Sequence, residues 1–312
     1  MITRLKKRLQ EEEGAVLVLV GVGLVALLGF VALTVDVGYM YLHKSRLVNA
    51  MDSAVLAGGM ELPTYPDLAL QAARDYAAAN GVEEGEVVFT VSDDCSQITA
   101  ESNRTVDLFF ARVLGFDQSE IGARAVARVG NPGSIDSGCV PFGVLQDDFE
   151  FGVEYLLKEG AGGELYMESY CGWFGCLALG GNGANNYREN LKNGYDQPVS
   201  IGDVLPIETG NMSNPTRSGI QTRLNQCPHS PKCTITQYDK NCPRVLLVPV
   251  VVPTEGDEDA VQVVAFGAFL VTEVPGQGNE NIVKGYFVET VTAGEIAPDA
   301  DYYGTRVVML VE

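Results

Sequence analysis

Positive charge is scarce in this chain of 312 residues. It carries 21 Lys and Arg against 41 Asp and Glu, a formal net charge of −20. That balance excludes general nucleic-acid binding, which needs clustered cations to displace phosphate counterions. Histidine is scarcer still, with only His43 and His229. There is no H-E-x-x-H metalloprotease motif and no G-x-S-x-G nucleophile elbow. A hydrolase built on an imidazole would have to use His229 without a recognisable nucleophile motif. C-x-x-C-H is absent too, so covalent haem is not indicated. Gly180-Gly181-Asn182-Gly183 is followed by no Lys-Ser/Thr and reads as a turn rather than a phosphate loop. Cysteine is missing from the first 94 residues and proline from the first 62. Hydrophobic residues still make up 46%, which excludes a mostly disordered chain.

What is present is strongly partitioned. Residues 1–13 hold Arg4, Lys6, Lys7 and Arg8 with three acids, a basic tip expected in the cytoplasm. Gly14 to Val35 contains no ionisable or amide side chain. As a helix it extends about 33 Å, matching a bilayer's hydrocarbon core. A cleaved signal peptide fits less well, because the run exceeds a usual h-region and no small-x-small cleavage pattern ends it. Four cations precede the run, and only Lys44 and Arg46 follow closely, so the N-terminus is expected inside. The remaining residues carry 17 cations and 38 acids and form an extracytoplasmic body, in which disulfides persist.

Beyond the span, helical sequence continues to Gly58-Gly59. Asn49, Ser53 and Ala57 form one stripe of small residues, and Ala50, Ala54 and Gly58 form its neighbour. Such stripes let helix backbones approach closely. Pro66 to Asn80 predicts a second helix with a matching stripe at Ala69, Ala73 and Ala77, packed antiparallel on the first. Docking of the first stripe onto another membrane subunit is the alternative. Glu86–Ser92 and Ile121–Val129 alternate as strands, and Val106–Gly115 reads as a short helix with an apolar face. Residues 131–138 read as a linker. Arg244–Pro253, Ala260–Val274, Ile282–Thr290 and Thr305–Val311 are β-branched runs, with short helices at Tyr187–Asn193 and Pro215–Gln226. The expected fold is α+β: an anchored long helix with an antiparallel partner, a membrane-proximal α+β unit over 36–130, and a β-rich antiparallel sheet or barrel over 139–312.

Seven cysteines lie in the body: Cys95, Cys139, Cys171, Cys176, Cys227, Cys233 and Cys242. Cys171 and Cys176 close a short loop and are the first disulfide choice. Cys227, Cys233 and Cys242 can supply another pair, but spacing does not fix connectivity, and an odd count leaves one thiol free or bonded to another chain. His229 beside Cys227, Cys233 and Cys242 makes a Cys3His zinc set the alternative to disulfides, although C-x-H-x3-C-x8-C is not a standard zinc pattern. The acidic clusters at residues 255–259, Asp147-Asp148 and Asp299/Asp301 lack EF-hand spacing and read as solvated loops.

Gly14-Ala15-Val16, Val35-Asp36-Val37-Gly38, Tyr41, Arg46-Leu47, Asn49-Ala50, Asp52-Ser53-Ala54 and Leu56-Ala57-Gly58 together resemble the TadG-like N-terminal region of Tad/Flp pilus-assembly proteins. Val48, Met51 and Ser53 depart from the residues usual there. Phe109–Gly115 and Ala123–Ala127 resemble the segment that follows. Some relatives carry a von Willebrand A domain with a D-x-S-x-S metal motif, which is not found here. The resemblance implies a non-enzymatic, single-pass component of a pilus-assembly or secretion apparatus. Its partners would be other Tad/Flp membrane proteins or pilins, membrane lipid along 14–35, and a second copy of the chain; no cofactor is implied. Asp36, Asp52 and the two small stripes are the expected interaction residues. A pilin-like subunit processed at Gly14 is one alternative, although Leu19 stands where pilins carry Glu. A surface adhesin and a membrane-tethered extracytoplasmic enzyme are the others.

Overall fold

The computed structural model describes residues 2–159, 173–254 and 256–311, with the side chains of residues 2–15, 17 and 114 outside the description. It divides into two units. One runs to Ala127 and takes in Leu310 and Val311; the other spans Arg128–Met309.

The first unit is organised by α1 (Ile2–Gly59), one helix of 58 residues and about 87 Å. No proline interrupts it. Its apolar stretch is long and apolar enough to cross a membrane and is covered by nothing else in the described structure. From Asp36 onward the helix acquires partners. α2 (Pro66–Ala79) starts with a proline whose fixed φ suits the first turn and with Asp67 near the positive helix end. It buries Ala69, Ala73 and Ala77. A Cβ on Gly58 would lie 2.8 Å from the Ala69 carbonyl oxygen and 3.2 Å from the Ala73 Cβ, so α1 and α2 meet backbone to backbone there.

A sheet covers this helix pair. β1 (Val87–Val91) runs antiparallel to β2 (Gln97–Asp107), pairing Val87 with Ser102 and Val91 with Ile98. β3 (Gln118–Gly130) lies beside β2. Ile98 and Ala100 are fully buried, and a Cβ on Gly58 would also meet the Ile98 side chain. The helix expected over Val106–Gly115 is corrected. β2 continues to Asp107, and only Ala111–Leu114 forms a single 3₁₀ turn. The Leu108 N–H is taken by the Asp117 carbonyl at 2.9 Å, and Gly115 adopts φ +91, so the backbone closes as a strand connection before a helix can propagate.

The second unit contains β4 (Ser134–Ile135), β5 (Val144–Leu145), β6 (Glu154–Lys158), α3 (Ala184–Asn193), β7 (Val199–Ser200), β8 (Val204–Pro206), α4 (Ser213–Gln226), β9 (Val245–Pro253), β10 (Ala260–Val271), β11 (Val283–Phe287), β12 (Thr290–Thr292) and β13 (Thr305–Leu310). Its main sheet has the order β5-β9-β10-β11-β6, with β8 also pairing with β10. β5 is parallel to β9 and β12 is parallel to β13; the other pairs are antiparallel. The expected antiparallel sheet or barrel is therefore a mixed, open sheet. Its edge β5 is two residues long and offers too little ladder for closure. The Trp173 ring is fully buried, its Nε1 donating to the Cys176 carbonyl at 2.7 Å. α3 and α4 pack together and bury Tyr187, Leu191 and Ile220 against Phe142, Phe269 and Phe287.

Residues 131–138 are not a linker. Asn131 Nδ2 donates to the Ala300 carbonyl, Gly133 N–H to the Glu295 carbonyl, and Ile135 is fully buried in the β4–β7 pair. The glycine that suggested flexibility instead permits close packing: a Cβ on Gly133 would sit 2.9 Å from the Ala297 Cβ.

Two outcomes follow for the full chain in detergent. Ala54 is fully buried, so Ala54→Leu overpacks the buried face of α1 and lowers stability by about 1–3 kcal/mol in thermal or chemical unfolding. The second concerns the bidentate Arg104–Glu86 pair, whose guanidinium holds the Glu86 carboxyl below its ordinary value. Its stabilisation is complete above the unfolded carboxyl pKa and fades as pH falls through the depressed folded value. Arg104→Ala should destabilise at neutral pH, and the difference from the parent should shrink in acid.

Candidate functional site

The end of the apolar span is fixed by one side chain. Asp36 immediately follows Val35 and is 3% exposed. Oδ1 accepts from the Phe109 N–H at 2.8 Å and the Phe110 N–H at 3.3 Å; Oδ2 accepts from Phe110 at 3.0 Å and Ala111 at 2.7 Å. These are the unsatisfied donors at the start of the 3₁₀ turn, and no local side chain caps it. Tyr39, one helical turn on, stacks edgewise on Phe109 at 4.9 Å and on His43 at 4.4 Å. The turn held this way presents Phe109, Phe110, Val113 and Phe116 outward, with Val113 87% and Phe116 64% exposed. An exposed apolar group of this kind marks an interaction site.

The two stripes separate. Ala50, Ala54 and Gly58 are buried, Asn49 is exposed, and Ser53 and Ala57 are half-buried. Ser53 Oγ donates to the Asn49 carbonyl at 2.8 Å, within its own helix. Asp52 is half-buried, and burial raises its carboxyl pKa. Tyr41 is exposed, and it is Tyr39 that packs.

Among the described residues no disulfide joins the cysteines. Cys171 lies outside the described residues, and with it the expected Cys171–Cys176 pair. Cys95 is half-buried at the β1–β2 turn. Cys139 and Cys176 are buried, and burial pushes their thiols up to about 12 and about 11. Neither is poised as a nucleophile. Cys176 Sγ instead donates to the Tyr187 hydroxyl, 3.4 Å away. Nearby, Lys158 is fully buried and donates to the Glu159 and Asn281 carbonyls and Asn211 Oδ1.

Cys227, His229, Cys233 and Cys242 converge, their ligand atoms all within 4.8 Å of one another. Among the described residues this is the one group of three or more such side chains; the acidic clusters form none. Cys227 ends α4, and Cys242 stands three residues before β9. Burial works against a charged Cys227, but backbone N–H groups of Cys233 and His229 and the His229 ring bring it to about 6, while burial pushes Cys242 up to about 12.

A protein-family model described as "Putative Flp pilus-assembly TadE/G-like" matches residues 14–61. The matched segment therefore holds the apolar helix, Asp36 and both small stripes. Comparison with characterised proteins and with solved structures found no match.

Replacing Asp36 by Ala removes the cap of the 3₁₀ turn, a change that typically costs about 0.5–2 kcal/mol. The amides of Phe109, Phe110 and Ala111 should then exchange with solvent roughly 2- to 30-fold faster, measured by hydrogen–deuterium exchange on the full chain.

Proposed function

We propose that this chain is a membrane-anchored, non-enzymatic component of a Tad/Flp pilus-assembly apparatus. The observation that carries this reading is the family match over residues 14–61, which coincides with the helix that leaves the apolar span and docks through Asp36. The N-terminus lies in the cytoplasm, as the cation excess before the span favours, and the acidic body lies outside. Inside the chain, Ala50, Ala54 and Gly58 are buried, Gly58 against α2. The outward Asn49–Ser53 side remains for helix contacts with other assembly proteins or pilins. Phe109, Phe110, Val113 and Phe116 lie beside the residue that ends the span and seat that turn in the headgroup region. Two points weigh against the enzyme alternative. The Cys139 and Cys176 thiols are held neutral, and Lys158 is enclosed by carbonyl and amide oxygens.

Complementation of a deletion strain tests the reading. The parent chain should restore surface pili. Asp36→Ala should lower their number several-fold at matched expression, and Cys95→Ser, at the β1–β2 turn, should not. Replacing residues 1–35 by a cleavable secretion signal should abolish restoration, because an assembly role requires the anchor. Normal piliation in the deletion strain, or full restoration by the released body, would contradict the proposal.

A further inference from the structure

We propose that Cys227, His229, Cys233 and Cys242 form a structural zinc site that staples the segment between α4 and β9. Residues 227–244 contain no helix or strand, only the isolated Thr234–Gln237 bridge, yet the loop is packed on the sheet through three buried cysteines. A structureless stretch of this length in a compact unit needs another source of order. The four ligand residues supply one: they stand at its start, within its first half and near its end.

Three of the ligands stand at spacings close to those around one tetrahedral ion, and all four ligand atoms lie within 4.8 Å of one another. With Zn–S near 2.3 Å and Zn–N near 2.0 Å, ligand atoms around a shared zinc stand about 3.5–3.8 Å apart. Cys227 Sγ is 4.0 Å from Cys233 Sγ, and His229 Nδ1 lies 3.7 Å and 3.3 Å from these two sulfurs. A single disulfide would leave one thiol and the imidazole of this convergent set without a role.

The surroundings match what a metal requires of its ligands. The far ring nitrogen of His229, Nε2, faces Asp239 Oδ2 at 3.1 Å, the carboxylate partner that orients a metal-bound imidazole. Three thiolates and Zn²⁺ carry a net charge of −1. Arg244, 5% exposed and with no ion pair among the described residues, sits against the set, donating to the Cys233, Val271 and Thr272 carbonyls. Lys232 Nζ donates to the Cys227 carbonyl. A cluster of net charge −1 is compensated by such neighbouring cations. Four protein ligands leave no open coordination position, so the role is structural rather than catalytic.

The test uses the full chain in detergent, reduced, supplied with Zn²⁺, freed of excess ion and analysed by mass spectrometry for metal. About one zinc per chain is expected, unchanged in Cys95→Ser and lost in Cys242→Ser. Two variants separate ligation from misfolding. His229→Cys should retain the metal and shift the visible spectrum of the Co²⁺-substituted protein. Asp239→Asn should weaken zinc affinity about 10–100-fold while keeping the ion bound at saturation. Failure of the reduced parent chain to take up zinc, or equal uptake by Cys242→Ser, overturns the proposal.

Discussion

A carboxylate satisfying three backbone donors joins the two halves of the first unit. Asp36 stands where the apolar run ends, and its partners lie 73 to 75 residues further along the chain. Without that carboxylate, the N–H groups opening the 3₁₀ turn lose their acceptor. With it, the β2–β3 connection is pinned to one level of the long helix. The close backbone approach at Gly58 then fixes α2 and β2 against the same helix from the other end. The helix leaving the span thus becomes part of the fold rather than a tether to it.

Much of this was legible in the sequence, for identifiable reasons. An uninterrupted apolar run and the absence of proline before Pro63 define α1 directly. Pro66, Gly81 and the Ala69/Ala73/Ala77 spacing define α2. The β-branched runs that became β9, β10, β11 and β13 announce themselves by composition; β9 and β10 are mostly buried, while β11 and β13 bury alternate positions. β2 escaped notice because Gln97–Asp107 is largely polar, with only Ile98, Ala100 and Val106 as its apolar buried positions. Val106–Gly115, with its apolar face, then read as a helix, because nothing local reveals that Asp117 takes the Leu108 amide. Residues 131–138 looked like a linker because glycine and proline signal loops equally well whether the loop is free or packed.

Asp36 was singled out by its place in the motif, but its role was not, since the acceptor and its donors are too far apart in sequence for any spacing rule. The same limit applies to the cysteines. Spacing allowed a disulfide or a Cys3His set, and only the folded path of residues 227–244 brings three sulfurs and an imidazole together while leaving Cys95, Cys139 and Cys176 apart from them. In both cases the residue types carried the chemistry, and only the tertiary structure brings the partners together.

The central claim is that the Asp36-held turn lies at the membrane surface, making anchor and folded unit one continuous element. Spin labels at positions 113 and 116 of the full chain in lipid bilayers, read by relaxation with lipid-soluble oxygen against an aqueous nickel chelate, test it most directly. Both labels should report interfacial depth, and Asp36→Ala should move them toward water. Labels equally exposed to the aqueous reagent with and without Asp36 would contradict the account.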